Sequence, residues 1–169
     1  ERLINENKLG ALAFLRNLRN MRKSLVSKQI IEHGFETINT KFLLPINYLA
    51  AYRNAPEWAD MIEKLLIKSI DAQHKLSGKT VFVVDVSGSM SASVSKKSKY
   101  SRMDVASIMA VLASYYCEKV DIYVTAGYDH ARKHNTMELH EVSGFKIIDR
   151  IIECRNNLGG GGIFTRQCL

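Results

Sequence analysis

The fold of this chain is decided by residues 80–90, which read TVFVVDVSGSM. The first five, Thr80–Val84, are apolar or β-branched with no polar alternation, which is typical of a strand buried on both faces of a parallel sheet. Three residues with side-chain oxygens follow at once, Asp85, Ser87 and Ser89, and the glycine between the serines lets the backbone turn. The stretch therefore predicts a buried strand whose carboxyl end carries a cluster of oxygen ligands.

The sequence beyond this strand alternates between helical and extended patterns. Apolar spacing predicts a helix over 102–118 and a second helix over 145–154. Short β-branched runs predict a second strand over 120–126 and a third over 136–140. Strands and helices in alternation indicate an α/β layered architecture.

The first half of the chain has a different pattern. Leucines recur at helical spacing in residues 8–23, and Pro45 and Pro56 can each occupy the first turn of a further helix. We find no fixed-period repeat. We therefore expect a helical domain over 1–78 and an α/β domain over 79–169.

Composition excludes several classes of protein. The 169 residues are 46% hydrophobic and 24% charged, which is ordinary for a globular chain and unlike a disordered or collagen-like one. The three cysteines, Cys117, Cys154 and Cys168, lack the spacing of a disulfide framework or a zinc site. A reducing, cytoplasmic location is the simpler expectation. No apolar run reaches the length of a membrane span, so we expect no membrane association.

The net charge of +7 is concentrated in the helical half. Residues 1–79 hold 13 Lys and Arg against 8 Asp and Glu, whereas 80–169 hold 11 against 9. Arg16, Arg19 and Lys23 fall on one helical face, where they could meet the phosphates of an anionic partner. The alternative is a solvated outer face with no ligand.

The residues after the first strand form a candidate cation site. One carboxylate, Asp85, and two hydroxyls, Ser87 and Ser89, are hard oxygen ligands that suit Mg²⁺ first, or Mn²⁺ or Ca²⁺, better than zinc. A single carboxylate leaves such an ion short of negative charge, so it should recruit water or an anionic ligand. The alternative is an ordinary turn, since Asp, Ser and Gly all favour turns.

This motif resembles the metal-ion-dependent adhesion site (MIDAS) of von Willebrand factor A domains. Their pattern is Asp-x-Ser-x-Ser after the first strand, a Thr from a later loop and an Asp after another strand. Residues 159–165, GGGGIFT, resemble the Thr loop, so the resemblance implies Thr165 as a further ligand. The last Asp has no counterpart before the sequence ends, so we expect a partial, C-terminally incomplete domain of this type.

The helical half resembles the Ro autoantigen family, and the order of motifs agrees with it. Residues 8–21, KLGALAFLRNLRNM, and 44–52, LPINYLAAY, precede the Asp-Val-Ser-Gly-Ser-Met strand end. In that family a ring of HEAT-like helical repeats, the TROVE module, leads into a von Willebrand A domain. The resemblance implies the C-terminal helices of such a ring followed by a partial doubly wound α/β domain, apparently a fragment of a bacterial or phage-like relative.

The resemblance also implies a function. Members of the family are RNA-binding scaffolds that hold small non-coding Y RNAs and misfolded RNAs in ribonucleoproteins, and bacterial relatives work with exoribonucleases in RNA quality control. The implied RNA-binding residues here are Arg16, Arg19 and Lys23. The alternative function is an adhesion module that captures a partner's carboxylate through the divalent metal.

Enzymatic function is not expected. The chain has no Gly-x-Ser-x-Gly nucleophile elbow, and its five histidines show no arrangement of base and nucleophile. His130 and His134 are predicted to lie on the surface of a hairpin. Trp58, Tyr48 and Tyr52 could stack on bases, but their helical spacing favours a place in the core.

Overall fold

The computed structural model describes residues 1–70 and 75–168, apart from the side chains of Thr165 and Cys168. The chain forms two compact units, Glu1–Gln73 and His74–Leu169. No helix in the described ranges has both the length and the apolar character needed to cross a bilayer. The molecule is mixed α and β, with helices in both units and a three-stranded sheet in the second.

The described part of the first unit consists of helices joined by loops. Pro45 occupies the first position of its helix, as the sequence predicts, because its fixed φ and missing N–H cost nothing there. Pro56 instead begins a 3₁₀ turn, Pro56–Trp58, that leads into the next α-helix. The α-helices are α1 (Arg2–Asn5), α2 (Ala11–Lys23), α3 (Lys28–Thr37), α4 (Pro45–Asn54) and α5 (Ala59–Ile70).

An aromatic cluster lies in the core of this unit. Phe14 of α2 meets Phe35 of α3 edge to face, with ring centroids 5.0 Å apart, and Trp58 packs on Phe35 at 5.9 Å. Gly34 allows this packing, because a Cβ at that position would overlap the Phe14 ring. Tyr48 is fully buried, so its predicted place in the core is confirmed, whereas Trp58 and Tyr52 are only partly buried.

The second unit is built on a mixed sheet in the order β1-β2-β3. β1 and β2 run parallel and are joined through α6, whereas β3 pairs antiparallel with β2. Gly78, with φ of +82°, lies at a register shift inside β1, so the strand bulges there without ending. The elements are β1 (Leu76–Asp85), α6 (Arg102–Tyr116), β2 (Cys117–Tyr128), β3 (Lys133–Glu138), α7 (Lys146–Arg155) and α8 (Thr165–Cys168).

Only one face of β1 is covered within the described residues, contrary to the prediction of a strand buried on both faces. Val84 and its β2 partner Val124 are buried on the face where α6 and α7 pack. Val81 and Val83 point to the opposite face and are 58% and 41% exposed. Apolar side chains on both faces of β1 allow either face to be buried. Which face a helix covers depends on segments that are distant in sequence.

Candidate functional site

The predicted cation motif lies at the carboxyl end of β1. Asp85 ends the strand, and its Oδ1 accepts the backbone N–H of Ser87 at 2.7 Å, which folds the chain back toward the carboxylate. A 3₁₀ turn, Gly88–Ser91, follows. The hydroxyls of Ser87 and Ser89 are hydrogen-bonded to each other, with their Oγ atoms 3.2 Å apart. The structure therefore gathers the two hydroxyls, next to the residue that supplies the carboxylate.

This donor set fits a hard divalent cation. Two neighbouring ligands of an octahedral ion at about 2.1 Å stand roughly 3 Å apart, which matches the distance between the two hydroxyl oxygens. Ser87 is buried at 5% exposure, whereas Ser89 is exposed. Among the described residues, no group of three or more His, Cys, Asp or Glu side chains could hold a metal. An ion here would need hydroxyls, water and a ligand's anion beside Asp85.

The four-glycine loop, residues 159–162, packs against the same edge of the sheet. The Gly88 N–H donates to the Gly160 carbonyl oxygen at 2.8 Å, which joins the motif directly to the loop. Gly127, near the end of β2, exchanges two backbone hydrogen bonds with Gly161, at 2.7 and 3.2 Å. A Cβ on Gly127 would collide with the Gly162 carbonyl oxygen, so this approach requires glycine.

Thr165, the further ligand implied by the resemblance, follows this loop. Its backbone begins α8, but its side chain lies outside the described part of the structure. The loop itself is therefore placed beside Asp85 and the serines, whereas the hydroxyl of Thr165 is not.

Two residues at this end of the sheet have roles that the sequence did not reveal. Asp129 Oδ1 accepts the Gly162 N–H at 2.8 Å, so its carboxylate anchors the glycine loop. His134 contacts the Thr125 hydroxyl through Nε2, and its Nδ1 accepts the Phe164 N–H at 3.4 Å. His134 is half-buried, because strand pairing and the glycine loop cover part of its ring. The place of Asp129 directly after β2 is visible in the sequence, whereas its contact with the glycine loop is known only from the structure.

The three cations predicted to bind RNA lie on the outside of α2. Arg16, Arg19 and Lys23 are all exposed, and they fall within about 60° around the helix axis at 100° per residue. Arg22 points elsewhere and pairs with Glu57 at 3.1 Å. We call Arg16, Arg19 and Lys23 the α2 basic face; within the described residues none of them pairs with a carboxylate.

Comparison of the chain with protein-family models, curated proteins and solved structures finds no significant match.

Proposed function

We propose that the chain is a non-enzymatic RNA-binding scaffold of the Ro type, which holds small non-coding RNA in the cytoplasm. The observation that carries this proposal is the α2 basic face, three exposed cations on one side of a well-packed helix. Arg22, on the same helix, forms an ion pair with Glu57, whereas no residue of the α2 basic face pairs with a carboxylate within the described residues. The resemblance of the helices to the end of a TROVE module supports RNA as the phosphate source.

Salt dependence tests this proposal. Each phosphate neutralised on single-stranded RNA adds about 0.7 to the slope of log affinity against log salt. Replacing Arg16, Arg19 and Lys23 with Ala should therefore lower the slope by about 2. Over a fourfold rise in salt, the affinity of the variant should then fall about 20-fold less than that of wild type.

A matched control separates the face from charge in general. Lys96, Lys97 and Lys99 are three exposed lysines in the loop before α6, and their triple Ala variant loses the same charge. This control should keep the wild-type slope. Equal slopes for wild type and the α2 variant would show that the face does not contact RNA. Equal losses in both variants would show that binding is diffuse.

The strand-end site favours a second function, capture of a partner's carboxylate through a divalent ion. The specific observation is the 3.2 Å spacing of the Ser87 and Ser89 hydroxyls beside Asp85. With one protein carboxylate, the ion keeps positive charge that an Asp or Glu of a partner protein could neutralise. An exoribonuclease or another protein could dock in this way while α2 holds RNA.

Calorimetric titration with Mg²⁺ and Mn²⁺ tests the site. Asp85→Ala should abolish binding. Asp85→Asn is the sharper variant, because its amide oxygen can still accept the Ser87 N–H while the charge is lost. It should retain the fold and also fail to bind. Wild-type affinity in both variants would overturn the site. Capture through one metal bond should also weaken less with salt than phosphate binding does.

A further inference from the structure

The first unit contains a cavity that the proposed function has not used. It has a volume of about 680 Å³ and lies between α1, α2 and the end of α3 with its following loop. This volume is within the range of small-ligand sites. We call it the α1–α3 cavity; its apolar walls are Leu3, Leu9, Leu12, Ile38, Phe42 and Leu43.

An exposed aromatic ring stands at this cavity. Phe42 is 87% exposed, whereas large aromatic side chains are usually buried in the core of a protein. Leu3 and Leu12, on the opposing elements, are also 47% and 42% exposed. An aromatic face open to solvent beside an apolar hollow is the arrangement on which nucleobases stack, whatever their identity.

The charges at the cavity suit a phosphodiester. Lys8 and Arg16 line it, and no carboxylate does so in the described lining. Lys8 pairs with Glu6 at 2.8 Å, whereas Arg16 belongs to the α2 basic face. The Nζ of Lys41 stands over one face of the Phe42 ring, 5.7 Å from its centroid, so a base would stack on the other face. Arg16 thus belongs both to the α2 basic face and to the lining of the α1–α3 cavity.

The remaining polar lining is neutral. Asn7 and Asn39 contribute amides, which offer both donors and acceptors to the edge of a base. The Oδ1 of Asn39 already accepts the Lys41 N–H at 3.0 Å. The exposed ring, the amides and the cations together suit a base that carries a phosphodiester.

We infer that the α1–α3 cavity holds a nucleobase of single-stranded RNA, with Phe42 stacking on the base and Arg16 contacting its phosphate. This inference rests on the proposed function, because the same strand crosses the α2 basic face. A base site makes a prediction that a purely electrostatic surface does not make. Affinity depends on an uncharged side chain and on the presence of bases.

The test uses the full chain and a labelled single-stranded RNA oligonucleotide. Phe42→Ala should weaken binding by about 5- to 150-fold, the range for loss of one stacked base. The salt slope should stay at the wild-type value, because no charge is removed. Phe42→Trp should bind the RNA about as tightly as wild type, because an indole also stacks on a base. The RNA should quench the fluorescence of the introduced indole. Leu25→Ala is the control, since Leu25 is 89% exposed and lies outside the cavity.

An abasic oligonucleotide with the same backbone separates stacking from phosphate contact. Wild type and Phe42→Ala should bind it equally. If wild type binds the RNA and Phe42→Ala binds it as tightly, the base site is wrong and the α2 basic face stands. If wild type binds no RNA, the proposed function fails and the base site with it. An acidic peptide that binds in a Phe42-dependent manner and is not displaced by RNA would overturn the choice of ligand.

Discussion

Replacing Gly161 with Ala should release the glycine loop from the end of the sheet. A Cβ at this position would lie 2.6 Å from the Gly127 carbonyl oxygen and 2.9 Å from Asp129 Oδ1. The nearer atom belongs to backbone in the sheet, so no side-chain rotation relieves the contact. The two backbones must separate, and their hydrogen bonds must lengthen or break.

The magnitude follows from the bonds at risk. Gly127 and Gly161 exchange two backbone hydrogen bonds, at 2.7 and 3.2 Å. At a net value of about 1 kcal/mol each, their loss favours the open loop by about 2 kcal/mol. Since 1.4 kcal/mol corresponds to a factor of ten, the population of the open loop should rise roughly 30-fold.

Amide hydrogen exchange measures this opening directly. The amides of Gly88 and Gly127, which donate to the loop, should exchange about 30-fold faster in Gly161→Ala. Gly162→Ala is the matched control, because its Cβ would meet only Asp129 Oδ1, at an ordinary 3.4 Å. Its exchange rates should stay within about twofold of wild type. Equal protection in the two variants would refute the reasoning that backbone contact at Gly161 holds the loop.

Two further predictions concern the helical unit. Gly34→Ala should lower the free energy of unfolding in urea by about 1 kcal/mol, because overpacking against Phe14 outweighs the gain in helix propensity. An unchanged free energy of unfolding in Gly34→Ala would contradict the packing. Burial raises the pKa of Tyr48 above 10.0, so its contribution to stability is complete below about pH 10 and is lost as pH rises through the folded value. Urea melts of Tyr48→Phe should therefore decline less steeply than wild type above pH 10, and identical slopes would show that Tyr48 does not titrate with unfolding.

Local patterns predicted the type of most elements. Residues 102–118 have apolar side chains at helical spacing and form α6, which ends two residues earlier than predicted. Thr80–Val84 forms part of β1, as predicted. Pro45 marks the start of α4. These features depend on neighbours within a few residues, which is why periodicity and capping chemistry reveal them. The third strand was predicted at 136–140 and lies at Lys133–Glu138, because pairing with β2 outweighs its weak local signal.

The candidate site was predictable only where its residues adjoin in sequence. Asp85, Ser87 and Ser89 form one motif, and a strand followed by such oxygens is recognisable without a structure. The contact between Gly88 and Gly160 joins residues far apart in the chain, and so does the anchoring of the glycine loop by Asp129. Composition and spacing carry no record of such pairs.

The sequence by itself determined the two-part organisation, the basic excess of the helical half and the chemistry available at the end of β1. Tertiary structure alone decided which face of the sheet is covered, and it brought His134 into contact with the Phe164 N–H. It also left Phe42 exposed beside an apolar cavity. The physical reason is that local propensity acts between near neighbours, whereas burial depends on which distant segments pack together.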